Sequence, residues 1–162
     1  MSLTCCFSGH RQIPETPEEL LTLSSATLAA VSELAAQGYD LFLSGGAIGF
    51  DTLAAAAVIY LGQTVFPNIR LKLCLPFRGH CRRWDPFHQQ RFSYILENAS
   101  DYEYISERYF PGCYHIRNEV MVRASDTVLL YYNGGRKGGT YSSYSYAKRY
   151  GKPIYRNLYP EK

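Results

Sequence analysis

"SGGAIGFDTLAAAAV", residues 44–58, decides how the chain is read. Three glycines fall in its first six positions, an aspartate follows, and an alanine-rich run comes next. Upstream, "DLFLS" (40–44) reads as a buried strand; downstream, 49–62 reads as a helix ending at Gly62. In an open parallel sheet such a turn sits at the C-terminal end of its strand, where ligands bind. Gly45 and Gly46 would let the backbone turn sharply and approach an anion. Gly49 would let the helix sit close to the sheet, with its N-terminal amides aimed at the ligand. The dinucleotide fingerprint G-x-G-x-x-G is broken, because Ser44 holds the first glycine position. The acid expected ~20 residues on, to hold a ribose hydroxyl, is also missing. A tight strand-to-helix connection with no ligand is the plainer reading of the same residues. Asp51 favours the helix dipole in either case; as a ligand contact it suits sugar hydroxyls or base amines, since it would repel a phosphate.

Outward from this turn, apolar bursts alternate with helical patterns. "LTCCF" (3–7) reads as a strand, and a helix follows with Thr16 as cap, Pro17 at its first position and Gly38 at its end. "IRLKLCL" (69–75) is a third strand, "FHQQRFSYILENA" a third helix and "DYEYIS" (101–106) a weak fourth strand. Residues 114–124 look helical, "DTVLLYY" (126–132) is a strong strand, 139–150 is helical, and "KPIY" closes the pattern. The alternation predicts an α/β fold: a Rossmann-like open, mainly parallel sheet with helices on both faces. No linker, repeat or low-complexity tail interrupts it, so 1–162 is expected to form a single domain.

The 162 residues are 46% hydrophobic, a globular composition, and no apolar run approaches the ~18 residues of a membrane span. "MSLTCCFSGH" lacks the basic and apolar regions of a signal peptide. Five cysteines, without CxxC spacing, argue against a disulfide framework. Buried thiols in a cytoplasmic protein are the expectation. The net charge of +3 is uneven. Residues 78–91 carry four arginines against one aspartate, and 136–162 carry seven basic groups against one glutamate. An anionic ligand, nucleic acid or a solvated face would each account for that.

Two further turns follow strands. "FSGHRQIP" (7–14) offers Gly9 and Arg11, and "YYNGGRKGGTYSS" (131–143) offers Arg136, Lys137 and Thr140. Arg117 and Asn118 lie early in the helix before the strongest strand. In "FRGHCRRWDPFH" (77–88), Arg78, Arg82 and Arg83 could close over phosphates and Trp84 could stack on a base; alternatively the loop is solvated and anchored by a buried tryptophan. His80, Cys81 and His88 lack a fourth ligand at convincing spacing, so no metal site is expected. Tyr144, one turn beyond Thr140, could face the ligand, whereas Tyr146 and Tyr150 suit the core or a homo-oligomer contact.

The order "SGHR", "SGGAIGFD", "LPF", "DYEYISERYFPGCYHIRNEVMV", "SDTVLLYY", "GGT", "GKPIY" resembles the SLOG superfamily, which unites the DprA/Smf, LOG and YpsA proteins. It is most like the YpsA-type branch, over nearly the whole chain. The resemblance implies a Rossmann-like domain binding a nucleotide or nucleotide-derived ligand through its glycine turns, with no further cofactor. On the matching motifs it assigns Ser44, Gly45, Gly46 and Gly49, then Arg117 and Asn118, then Gly138, Gly139 and Thr140 to the ligand. In LOG enzymes the last loop reads GGxGTxxE, and its glutamate supports cleavage of a glycosidic bond. Here the corresponding position is Ser143, which cannot supply a carboxylate. Binding or sensing of the ligand is therefore the leading expectation. A hydrolase or transferase anchored by Arg117, with Asp51 or Asp126 as its acid, is the second. Nucleic-acid binding of the DprA kind, drawing on the basic final segment, is the third. The turn at 44–49 is expected at the surface, so that Gly46→Asp would abolish binding and spare the fold.

Overall fold

In the computed structural model, residues 2–161 are described. Six strands form one parallel sheet in the order β4-β3-β2-β1-β5-β6. The strands are β1 (Leu3–Gly9), β2 (Tyr39–Ser44), β3 (Arg70–Phe77), β4 (Asp101–Ser106), β5 (Thr127–Tyr131) and β6 (Ile154–Asn157). Between them run α1 (Pro17–Ala36), α2 (Phe50–Thr64), α3 (Pro86–Asn98), α4 (Cys113–Arg123) and α5 (Gly139–Arg149). The Rossmann-like α/β expectation holds. Among the described residues no helix is long and apolar enough to cross a membrane.

Strand alternation builds two cores. Cys5, Phe7, Phe42, Leu73, Leu75 and Leu129 face α1, α2 and α3, packing with Val31, Leu34, Phe50, Val58 and Ile95. Their neighbours Cys6, Leu43, Cys74, Val128 and Leu130 point the other way, onto Met121 and Val122 of α4 and Ala147 of α5. The alanines of α2 are explained by position: Ala54 and Ala55 are fully buried beneath neighbouring helices.

Local chemistry sets the helix starts. Thr16 Oγ1 accepts from Glu19 N at 3.3 Å with Pro17 in the first turn, and Asp85 Oδ1 accepts from His88 N at 2.9 Å with Pro86 in the first turn. The chain proceeds outward from β1 through β2 and β3 to β4, then returns to the other side of β1 as β5. The connections leaving β1 and β5 therefore diverge, and a crevice opens between them at the strands' C-terminal ends.

Candidate functional site: a crevice at the switch point

That crevice has a volume of about 430 Å³. Its walls come from Ser8 to Arg11 at the end of β1 and just beyond it, Ala47 and Asp51 after β2, Tyr114, Arg117 and Asn118 on α4, and Lys137 to Thr140 after β5. His80 and Trp84 close it from the loop after β3. The loops after β1 and β5 are tied directly: His10 N donates to Tyr131 O at 3.2 Å, and Asn133 N donates to His10 Nε2 at 2.9 Å. That second bond requires a neutral ring with Nε2 unprotonated, and burial correspondingly lowers the His10 pKa.

The turn after β2 is folded in on itself. Ser44 Oγ donates to Asp51 O at 3.0 Å and accepts from Gly46 N at 3.3 Å. Thr52 Oγ1 donates to Ala47 O at 2.7 Å, and Ala47 N donates to Asp51 Oδ2 at 3.4 Å. The first amide of α2, Phe50 N, donates to His10 O at 3.1 Å. Ser44, Gly45, Gly46 and Gly49 consequently stand behind the crevice wall, and only Ala47 and Asp51 of this turn reach it. Gly49 is glycine for a reason other than helix–sheet contact. At φ +94° it abuts the loop after β1, and a Cβ there would stand 2.6 Å from His10 O and closer still to Arg11 O. Gly46 is buried, and a Cβ on it would stand 2.6 Å from Leu75 Cδ2. The surface position expected for it is wrong, and Gly46→Asp would damage the core rather than spare the fold.

The turn after β5 is open. The first backbone bond of α5 runs from Ser142 N to Gly138 O, so the amides of Gly139, Thr140 and Tyr141 precede it and have no partner within the helix. No side chain caps this terminus, and nothing stands within 4 Å of a Cβ built on Gly138. Asn118 joins this turn to α4: its Nδ2 donates to Gly139 O at 3.2 Å while its Oδ1 accepts from Arg117 Nε at 2.7 Å. Arg117, only 5% exposed, donates through Nη1 to Gly45 O. The guanidinium is thus held by two turns at once, with its charge at the floor of the crevice.

Asp51 lies beside it. A Cβ on Gly45 would stand 2.7 Å from Arg117 Nη1 and 2.8 Å from Asp51 Oδ2, so the missing side chain lets the two groups approach. Burial pushes the Asp51 pKa up to about 6, opposed by Arg117 and by the amides of Ala47 and Gly45. Burial likewise draws Arg117 below its ordinary value, opposed by Asp51. His80 is held near 4 by burial, against its bond to Gly46 O at 3.2 Å, so it is neutral at ordinary pH. That bond keeps His80 in the wall rather than beside Cys81 and His88 as a ligand set.

Gly9, Arg11, Asp51, Arg117, Asn118, Gly138, Gly139 and Thr140 thus meet around one space. Tyr144 does not. It packs on the second core, its ring 5.3 Å from that of Tyr132, because one turn along α5 points away from the crevice. Asp126 is at the opposite edge of the sheet, where its Oδ2 accepts from Thr4 N at 2.8 Å, so it is no candidate acid for the crevice. Ser143 is buried and does not line the crevice. Among the basic loop's residues, Arg78 pairs with Glu107 at 2.8 Å, while Trp84 is half-buried against the core. His10 and Tyr114 are wall residues that pattern reading missed. The position of His10 directly after "FSG" was the available signal; Tyr114 had none, since only the packing of α4 brings it inward.

Residues 14–158 match the YpsA family model, described as the YspA SLOG family. A UPF0398 protein of Shouchella clausii is 30% identical over 63% of this chain and 55% of its own length. Another, from Halalkalibacterium halodurans, is 33% identical over 63% and 54%. The chain spans about half the length of these curated relatives. Among solved structures, DNA processing protein A of Helicobacter pylori, described for its single-stranded DNA binding mode, aligns at TM-score 0.63 and 24% identity. It covers 94% of this chain and 63% of that one. DNA processing protein A of Streptococcus pneumoniae aligns at 0.64 and 14%, over 94% and 49%. Similarity at these identities establishes a shared fold.

Proposed function

The chain belongs to the YspA SLOG family, and on that premise we propose that its switch-point crevice binds a nucleotide-type small molecule, and binds it without cleaving it. One observation carries the reading: the uncapped amides of α5 and the buried Arg117 converge on a single space. Free helix amides and a guanidinium are the donors a phosphate needs. The neutral His80 adds no charge, while Asp51 and Asn118 offer acceptors to sugar hydroxyls or base amines. A volume of about 430 Å³ suits a single small ligand rather than a strand.

A second reading is favoured by Asp51. A buried carboxyl with a pKa near 6 beside a guanidinium has the property of a general acid, which would permit hydrolysis of a glycosidic bond. Against it stands Ser143, since the second carboxylate of such chemistry has no counterpart in the crevice. The four nucleoside monophosphates, titrated by calorimetry and incubated in a base-release assay, test both readings. Binding without base release is expected. Base release at an enzymatic rate, lost in Arg117→Ala, would overturn it in favour of the hydrolase. Absence of any binding would overturn both.

A further inference from the structure

The crevice has a second chamber. A cavity of about 780 Å³ adjoins it, and Arg11, His80, Trp84 and Tyr114 line both spaces. In the outer chamber Arg82, Arg83 and Arg108 join Arg11. The ion pairs among the described residues are Lys72–Glu103, Arg78–Glu107, His88–Asp85 and Arg156–Glu33, so none of these four arginines is neutralised by a carboxylate. Glu107 is the one acid on this wall, and Arg78 occupies it. Apart from Gly79, the remaining lining is aromatic. Phe77 stands edge-on to Tyr109 at 5.6 Å and to Tyr114 at 6.1 Å, while Tyr109 and Tyr114 keep exposed rings. Unpaired guanidinium groups and open ring faces together are what a phosphate with an attached base requires.

The track ends there. The tyrosine-lined cavity beyond β6 shares no residue with either chamber. The cavity on the far side of Arg11 holds Arg91 and His88, but Arg91 lies over the Phe87 ring at 5.5 Å. The rest of its wall is mostly Glu15 and apolar Ile13, Pro14, Leu20 and Ile48, and Arg11 is the one residue it shares with either chamber. The two chambers meet at Arg11, His80, Trp84 and Tyr114, each with its own anion donors beyond them. A long strand would need the surface to go on.

We infer that the outer chamber, built by the loop carrying Arg82 and Arg83, is a subsite for the second half of a ligand composed of two nucleoside units joined through phosphates. This rests on the nucleotide-binding reading of the inner crevice: the inner unit lies against Arg117 and the α5 amides, the linking phosphates cross at Arg11, and the outer base stacks on the Tyr109–Phe77–Tyr114 wall. Arg82, Arg83 and Trp84 of that loop then have a common purpose.

Calorimetric titration of adenosine monophosphate, diadenosine diphosphate and a twelve-residue oligothymidylate, on the full chain and on Arg82→Ala/Arg83→Ala, tests it. Diadenosine diphosphate should bind about tenfold more tightly than the mononucleotide or better. The double change should reduce the dinucleotide to the mononucleotide's affinity and leave the mononucleotide itself within about twofold. Both arginines are exposed, and unchanged mononucleotide binding certifies the fold of the variant. Mononucleotide binding with no gain for the dinucleotide overturns the subsite and leaves the inner reading standing. An equal loss for both ligands in the variant also overturns it, because the arginines then act only as a general field. Tighter binding of the oligothymidylate than of the dinucleotide assigns the chamber to nucleic acid and overturns it too. Failure of all three ligands brings down the inner reading and this one with it.

Discussion

The turns after β2 and β5 look alike in sequence and are opposites in structure. "SGGAIGFD" has its hydroxyls, amides and carboxylate turned on one another, its first helix amide bound to His10 O, and Gly45 and Gly46 buried. "NGGRKGGT" has no side-chain cap, open space around Gly134 and Gly138, and helix amides facing the crevice. Glycine serves packing in the first and access in the second. In the proposed binding mode the first turn would act through others, holding Arg117 by Gly45 O, and through Asp51, which lines the crevice. Fold should therefore depend on the first turn, and binding on the second.

The largest expected effect breaks the first turn. Gly49→Ala places a methyl against the carbonyls of His10 and Arg11 at φ +94°, where neither backbone can yield cheaply. Positive-φ strain and overpacking together should cost about 3 kcal/mol or more of a stability that is itself only ~5–15 kcal/mol. Chemical denaturation measures it. A loss under about 1 kcal/mol would mean that the two loops separate without penalty.

Asp51 gives the same turn a pH signature. Its carboxyl titrates at an ordinary 3.8 when unfolded and about 6 when folded. Between those values the folded chain keeps a proton that the unfolded chain releases, so this group's contribution is full below about pH 4 and is lost as pH rises through 6. The size is at most about 3 kcal/mol at 1.36 kcal/mol per unit. Denaturant midpoints from pH 4 to 7 should fall less steeply in Asp51→Asn than in the parent. Parallel curves would show that the carboxyl is solvated and titrates normally.

Gly139→Asp acts on the second turn. An acid at the first position of α5 suits the helix dipole and should change stability by less than about 1 kcal/mol. A Cβ there meets only Asn118 Nδ2, at 3.2 Å, the end of a side chain that can shift. The new carboxylate would face the anion site directly, and affinity for a nucleoside monophosphate should drop by about tenfold to a hundredfold. Unchanged affinity in a folded variant would remove the phosphate from this turn.

Architecture was legible because its signals are local. Thr16–Pro17 announces α1, and the apolar run 127–131 announces a strand buried on both faces. The crevice followed from topology, since loops after adjacent parallel strands open on the same edge. What each glycine faces was not legible. Gly46 rests on Leu75 and Phe92, and Gly49 on His10 and Arg11, and those partners come from other parts of the chain. The same limit applies to charge: Asp51 suited the helix dipole by sequence, whereas its raised pKa comes from burial, against the opposing charge of a residue 66 positions away, Arg117.

The smallest expected effect concerns Tyr144, which stands on the same helix as the open turn but outside the crevice. Its ring packs on Tyr132 and carries Lys148 Nζ at 5.4 Å. Tyr132 in turn donates its hydroxyl to Gly135 O, within the open turn itself. The ring of Tyr144 therefore supports the turn through Tyr132, whereas Tyr144 itself does not line the crevice. Tyr144→Phe keeps the ring and should leave mononucleotide affinity unchanged. Tyr144→Ala removes the support under Tyr132 and should weaken binding by only a few-fold, about 1 kcal/mol or less, because the contact is removed from the ligand by two residues. The two variants titrated side by side separate ring from hydroxyl. A loss in Tyr144→Phe as large as in Gly139→Asp would place the hydroxyl on the ligand, and would require α5 to rotate toward the crevice when it binds.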